Sequence, residues 1–98
     1  MDSRTVIARL REYAPELRAA GIVHLRLHGS HARGQQTTSS DIDLIAEFDG
    51  AKRLSILDLV GLEQRLTELL GVKVDLSQAK SLKDAVRRNA AREAILAF

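Results

Sequence analysis

Two short runs in which apolar and polar residues alternate, separated by a polar stretch too long for a tight hairpin, set the limits of the fold. In the first, Val23, Leu25 and Leu27 alternate with His24, Arg26 and His28. In the second, Ile42, Leu44, Ala46 and Phe48 alternate with Asp41, Asp43, Ile45 and Glu47. A period of two marks a half-buried strand. The segment between them, GQQTTSS at 34–40, has no large apolar residue and reads as a loop. A third alternation places Val72, Val74 and Leu76 inward and Lys73 and Asp75 on the opposite face.

The remaining segments change to helical spacing. Residues 3–13 predict a helix with Ser3 as N-cap and Val6, Ile7 and Leu10 on one face. Pro15 breaks or restarts it, and Leu17 to Ala20 form a short turn ending at Gly21. Residues 56–70 carry the strongest pattern, with Leu59, Leu62, Leu66 and Leu69 on one face and Gly71 as a left-handed stop. Ser55 can cap this helix, Asp58 can complete a capping box, and Leu54 and Leu59 can form a hydrophobic staple. Gly61 inside it costs about 1 kcal/mol relative to Ala, and close packing against the sheet is the expected reason. Ser81 opens a last helix running to about Ala97. The order helix, strand, strand, helix, strand, helix predicts an α/β (α+β) fold, a small mixed sheet of about three strands packed against helices.

Composition narrows the function classes. The 98 residues, 45% hydrophobic and 29% charged, suit one globular domain spanning 1–98. There is no apolar run of membrane-spanning length, and the opening MDSRTVIARLREYAPEL is too charged for a signal peptide. The absence of cysteine excludes disulfide scaffolds, thiolate zinc sites and cysteine nucleophiles, and the expected location is the cytoplasm. A net charge of +2 and only three aromatics, Tyr13, Phe48 and Phe98, argue against nucleic acid as a direct ligand.

Asp41 and Asp43 share one face of the second strand, their Cα atoms roughly 7 Å apart. If the third strand adjoins the second, Asp75 joins them, and three like charges on one patch call for cations. Oxygen-only ligands favour Mg²⁺ or Mn²⁺. Taken singly, Asp41 reads as a strand-entry cap and Asp75 as an exposed acid facing Lys73. Upstream, Gly29-Ser30 allows a sharp turn close to a ligand, and Ser30 to Arg33 can form one helical turn with free N–H groups toward an anion. Ser30 adds a hydroxyl and Arg33 a guanidinium. His24 and His28 read as solvent-facing or lightly packed, with His31 the one histidine near the turn. Lys80, Lys83, Arg87, Arg88 and Arg92 form a basic stretch whose plain reading is a solvated helix face and whose alternative is a partner-docking or RNA-contacting surface.

The run Gly29-Ser30-His31-Ala32-Arg33-Gly34 followed by Ser40-Asp41-Ile42-Asp43-Leu44 resembles the signature of the DNA polymerase beta-like nucleotidyltransferases, and within them the minimal nucleotidyltransferases (MNT). Val74-Asp75-Leu76 is similar to their third-carboxylate motif, and the likeness spans roughly residues 17–77. The resemblance implies the palm-like nucleotidyltransferase fold, with nucleotide triphosphate bound by Gly29, Ser30, Arg33 and Ser40. It further implies that Asp41, Asp43 and Asp75 hold two divalent cations, Mg²⁺ or Mn²⁺, and carry catalysis. His28 departs from the pattern, standing where an aromatic precedes the glycine in relatives; altered packing is the expected consequence. The implied reaction moves AMP from ATP to a hydroxyl. Because no second domain fits after residue 77, the acceptor comes from another chain. The resemblance points to a tyrosine of a HEPN-type toxin, with the chain as antitoxin in a hetero-oligomer. Two other readings stay open at this point: a non-catalytic antitoxin that masks its toxin by contact, and the catalytic subunit of a small-molecule, aminoglycoside-type nucleotidyltransferase.

Overall fold

The computed structural model describes residues 1–98. Four strands, β1 (Ile22–His28), β2 (Ile42–Phe48), β3 (Val74–Gln78) and β4 (Ile95–Leu96), form one sheet in the order β3-β2-β1-β4. β2 is antiparallel to β1 and parallel to β3, while β4 is antiparallel to β1. The helices are α1 (Ser3–Glu12), α2 (Ala14–Ala19), α3 (Gly29–Arg33), α4 (Ile56–Leu70) and α5 (Asp84–Glu93). The parallel pairing of β2 and β3 requires a crossover, which α4 supplies. No helix is long and apolar enough to cross a membrane.

The core lies between one sheet face and α1, α2 and α4. Leu25, Leu27, Ile42, Leu44, Ala46 and Val74 from the strands join Val6, Leu10, Leu17, Leu66 and Leu70 from the helices in one buried cluster. The opposite sheet face carries the odd-numbered residues of β2 and β3, Asp43 and Asp75 among them.

Several local expectations are corrected. Asp2, not Ser3, caps α1, accepting from the Thr5 N–H at 2.9 Å. Pro15 restarts the chain in the first turn of α2, where its missing N–H is not required, so the second helix begins at Ala14 and not near Leu17. A bulge between Ile22 and His24 puts Ile22 into the core and leaves Val23 43% exposed, which breaks the simple alternation of β1. Ile45, on the polar face of β2, is nonetheless buried. β3 starts at Val74, and Val72 is only partly buried.

α4 has the expected capping box between Ser55 and Asp58 and ends at Gly71 with φ +71°. Leu66 and Leu70 are its buried residues, with Leu59, Leu62 and Leu69 at the margin. Gly61 does not pack against the sheet: it is exposed, and a Cβ there would meet nothing within 4 Å. Two α4 side chains finish the outer edge of β3. Thr67 Oγ1 accepts from the Val74 N–H at 3.0 Å, and the Glu63 carboxylate accepts from the Leu76 N–H at 2.9 Å.

The C-terminal segment differs most from expectation. Ser81 ends a short 3-10 turn (Ala79–Ser81), α5 runs only from Asp84 to Glu93, and the chain then becomes extended as β4, the fourth strand. Ala97 is buried and donates its N–H to the Leu25 carbonyl at 2.8 Å, which fixes this strand against β1.

Candidate active site

β1 leads directly into a turn beside the acidic face of the sheet. His28 is extended, and Gly29 follows with φ +74°, a left-handed backbone that a side chain disfavours. A Cβ on Gly29 would also clash with the Asp43 carboxylate, standing 3.1 Å from its Cγ and 3.3 Å from its Cβ. The turn therefore lies against Asp43 because residue 29 is bare backbone. α3 follows as a single turn, closed by Gly34 at φ +70° and by the Gln35 N–H donating to the Ser30 carbonyl at 2.8 Å. The first N–H groups of such a turn have no intrahelical partner and remain open to an anion.

The parallel register pairs Asp43 with Asp75, and the antiparallel register pairs His28 with Asp43, so the three form one row across β3, β2 and β1. Asp43 is partly buried, and its carboxyl is held above the ordinary aspartate range. Burial is the largest cause, followed by the negative charge of Asp75 and, more weakly, of Asp41; His28 and His31 act in the opposite direction. Asp41 precedes β2 and lies 3.8 Å from Lys73 Nζ, so the lysine faces Asp41 and not Asp75. No three carboxylates or imidazoles cluster tightly enough to cage an ion as they stand. The donor set still fits a hard divalent cation: Asp41, Asp43 and Asp75 offer only oxygens, and the register sets Asp43 and Asp75 side by side on adjacent strands.

Ser30 lies half-buried at the start of α3. Arg33 is engaged elsewhere: its Nε donates to Gln35 Oε1 at 3.0 Å and its Nη1 lies 3.5 Å from the Glu93 carboxylate. Ser40 closes its own loop, accepting from the Thr37 N–H at 2.8 Å. His24 is exposed beside the Phe98 carbonyl, and His28 is half-exposed. His31, the histidine within the turn, is 3% exposed and its Nδ1 has no partner, so it is a packed residue of α3. The Glu63 and Thr67 contacts on either side of Asp75 were not foreseen. Both residues lie among the polar positions of an amphipathic helix, where nothing local marks them as backbone acceptors.

The nucleotidyltransferase domain model matches residues 7–97. The chain is 33% identical to the protein adenylyltransferase MntA of Thermococcus cleftensis over 87 residues, 88% of this chain and 86% of that protein. A solved structure assigned to the minimal nucleotidyltransferases superposes with a TM-score of 0.78 at 40% identity, covering 97% of this chain and 95% of the other. At 19% identity, a likeness of fold alone extends to the Shewanella oneidensis complex of a tri-AMPylated HEPN toxin with MNT antitoxin. Its TM-score is 0.68, over 93% of this chain and 70% of that one.

Proposed function

The chain belongs to the nucleotidyltransferase domain family, in its minimal branch, and we propose that it moves AMP from ATP onto a hydroxyl of a partner protein. The observation that carries this reading is the row formed by Asp43 and Asp75 with the Gly29 backbone set directly against Asp43. A triphosphate held at the Gly29-Ser30 turn would bring its α-phosphorus to the two carboxylates.

In this reading the open N–H groups of α3 and the Ser30 hydroxyl donate to phosphate oxygens. Asp41, Asp43 and Asp75 would hold Mg²⁺ or Mn²⁺, two ions in all. When bound, these supply the positive charge that offsets the triphosphate and eases deprotonation of the acceptor. Arg33, paired with Glu93, and Ser40, accepting from the Thr37 N–H, keep an Nη2 and an O–H that would donate to the nucleotide. Asp75 is exposed and takes the proton of the acceptor hydroxyl as its oxygen bonds to the α-phosphorus. The bond from the α-phosphorus to the bridging oxygen breaks, and pyrophosphate leaves with that electron pair. Positioning and charge, not covalent participation, supply most of the rate in such transfers.

The relatives support a protein acceptor, and a tyrosine of a HEPN-type toxin is the specific assignment, with the chain as its antitoxin. The test is incubation with ATP, Mg²⁺ and a HEPN-type toxin, followed by intact mass and peptide mapping. A mass increase equal to AMP on a partner tyrosine supports the proposal. No transfer together with no nucleotide binding overturns it.

A further inference from the structure

Beyond Asp43 the same sheet face leads toward a cavity. Ile45 lies two residues along β2 from Asp43, on the same face and beside Ser77 of β3, and it is 5% exposed. From there a cleft of about 860 Å³ opens between the end of the sheet and α5. Ile45, Phe48, Leu82 and Ala90 give it an apolar lining, and Lys80 and Arg87 stand in its wall.

The charges of the cleft are unequal in a useful way. Arg26 is paired with Glu47 at 3.4 Å, Lys52 donates to the Ala19 carbonyl, and Asp49, the other carboxylate of the lining, accepts from the Ala51 N–H at 2.9 Å, which leaves the four cations in excess of two acids. Lys80 and Arg87 face no carboxylate among the ion pairs of the chain. Arg87 is held in place by donating from Nη2 to the carbonyls of Lys80 at 3.3 Å and Leu82 at 3.4 Å. Arg87 of α5 and Lys80 of the preceding 3-10 turn, which the nucleotide site does not use, thus supply a cationic wall to a groove that starts two residues from Asp43.

We propose that this cleft docks the acceptor polypeptide through an acidic segment carrying an aromatic or apolar residue, a substrate class that deepens the transfer reading above and rests on it. The apolar floor takes the uncharged side chain, and Lys80 and Arg87 take the flanking carboxylates. The hydroxyl-bearing side chain then reaches back over Ile45 toward Asp43 and Asp75, about 7 Å along the strand. A nucleoside, being uncharged, forms no ion pair with Lys80 and Arg87 and uses their charge less than an acidic segment does. A single-stranded nucleic acid would find only Phe48 to stack on.

The experiment measures fluorescence anisotropy of labelled random Glu–Tyr copolymer, Lys–Tyr copolymer and oligouridylate on the full chain and on Lys80→Glu/Arg87→Glu. Fluorescent ATP with Mg²⁺ is titrated in parallel, and circular dichroism checks the fold. Glu–Tyr copolymer should bind about tenfold tighter than Lys–Tyr copolymer, and the double variant should lose that preference. ATP affinity should stay within about twofold, because the two sites are separate. Arg87→Ala serves as the milder variant, with a smaller loss in the same direction. Equal binding of the two copolymers, unchanged binding by the variants, or tighter binding of oligouridylate overturns the cleft assignment. Failure of ATP to bind while Glu–Tyr copolymer still does overturns the transferase reading instead, and with it the acceptor role of the cleft.

Discussion

Gly29 stands where the Asp43 carboxylate leaves room for a hydrogen and for nothing larger. The Gly29-Ser30 turn and the Asp43 carboxylate are therefore one packed unit. Its integrity depends on a residue with no side chain.

Two glycine variants separate strain from collision. Gly34→Ala meets only the cost of a left-handed backbone, about 1 kcal/mol, because a Cβ there has open space. Gly29→Ala meets the same strain and also displaces Asp43. Thermal unfolding should show the larger loss for Gly29→Ala, about 2–3 kcal/mol. Only that variant should lose AMP transfer, by about a hundredfold or more.

Asp43→Asn should raise stability at neutral pH while abolishing transfer. The folded protein holds the Asp43 carboxyl above its ordinary value, so ionising it costs stability. That cost is absent below the unfolded pKa, near 3.8, where the group is protonated in both states; it grows as pH rises and is complete above the folded value. Melting curves of the two proteins should converge in acid and separate toward pH 7, with the variant higher. Wild-type protein, but not the variant, should gain stability from added Mg²⁺. Neutralisation of a HEPN-type toxin that survived Asp41→Ala and Asp43→Ala together would favour the reading of masking by contact.

Asp75 is positioned through its neighbours. The N–H groups before and after it, on Val74 and Leu76, donate to Thr67 and Glu63 of α4. Thr67→Val should cost about 1 kcal/mol in stability. Together with Glu63→Ala it should lower kcat for transfer about tenfold, with little change in ATP affinity. An equal fall in ATP affinity would argue against a positioning role.

Gly61→Ala should stabilise the chain. The glycine is exposed in mid-helix with open space around its Cα, so alanine brings helix propensity of about 1 kcal/mol and no collision. Denaturation midpoints should rise by about 4–8 °C, with transfer activity unchanged.

Much of this architecture was legible because its signals are strong and local. α4 announced itself through a four-leucine stripe and a capping box, and β2 through alternation over a full strand. The pairing of Asp43 with Asp75 followed once β3 was placed beside β2. The bulge at Ile22 and His24 was hidden because an extra residue leaves no mark in the alternation beyond it. β4 was missed for a related reason: Ala94, Ile95, Leu96 and Ala97 continue a helix pattern as readily as they form a strand. Only the Leu25 backbone, seventy-odd residues away in sequence, decides between the two. Long-range partners also explain the remaining misses, since Arg33 with Glu93 and Lys73 with Asp41 are pairings that spacing does not announce.

The side chains of Thr67 and Glu63 on the outer backbone of β3 have a further effect. At that border two of the ladder's open amides are already satisfied, and the opposite border is a strand of two residues. An incoming chain therefore finds little main-chain template for strand addition at either rim, which guards against fibrillar self-association. Association with a protein must use side-chain surfaces, where charge and shape can discriminate one candidate from another.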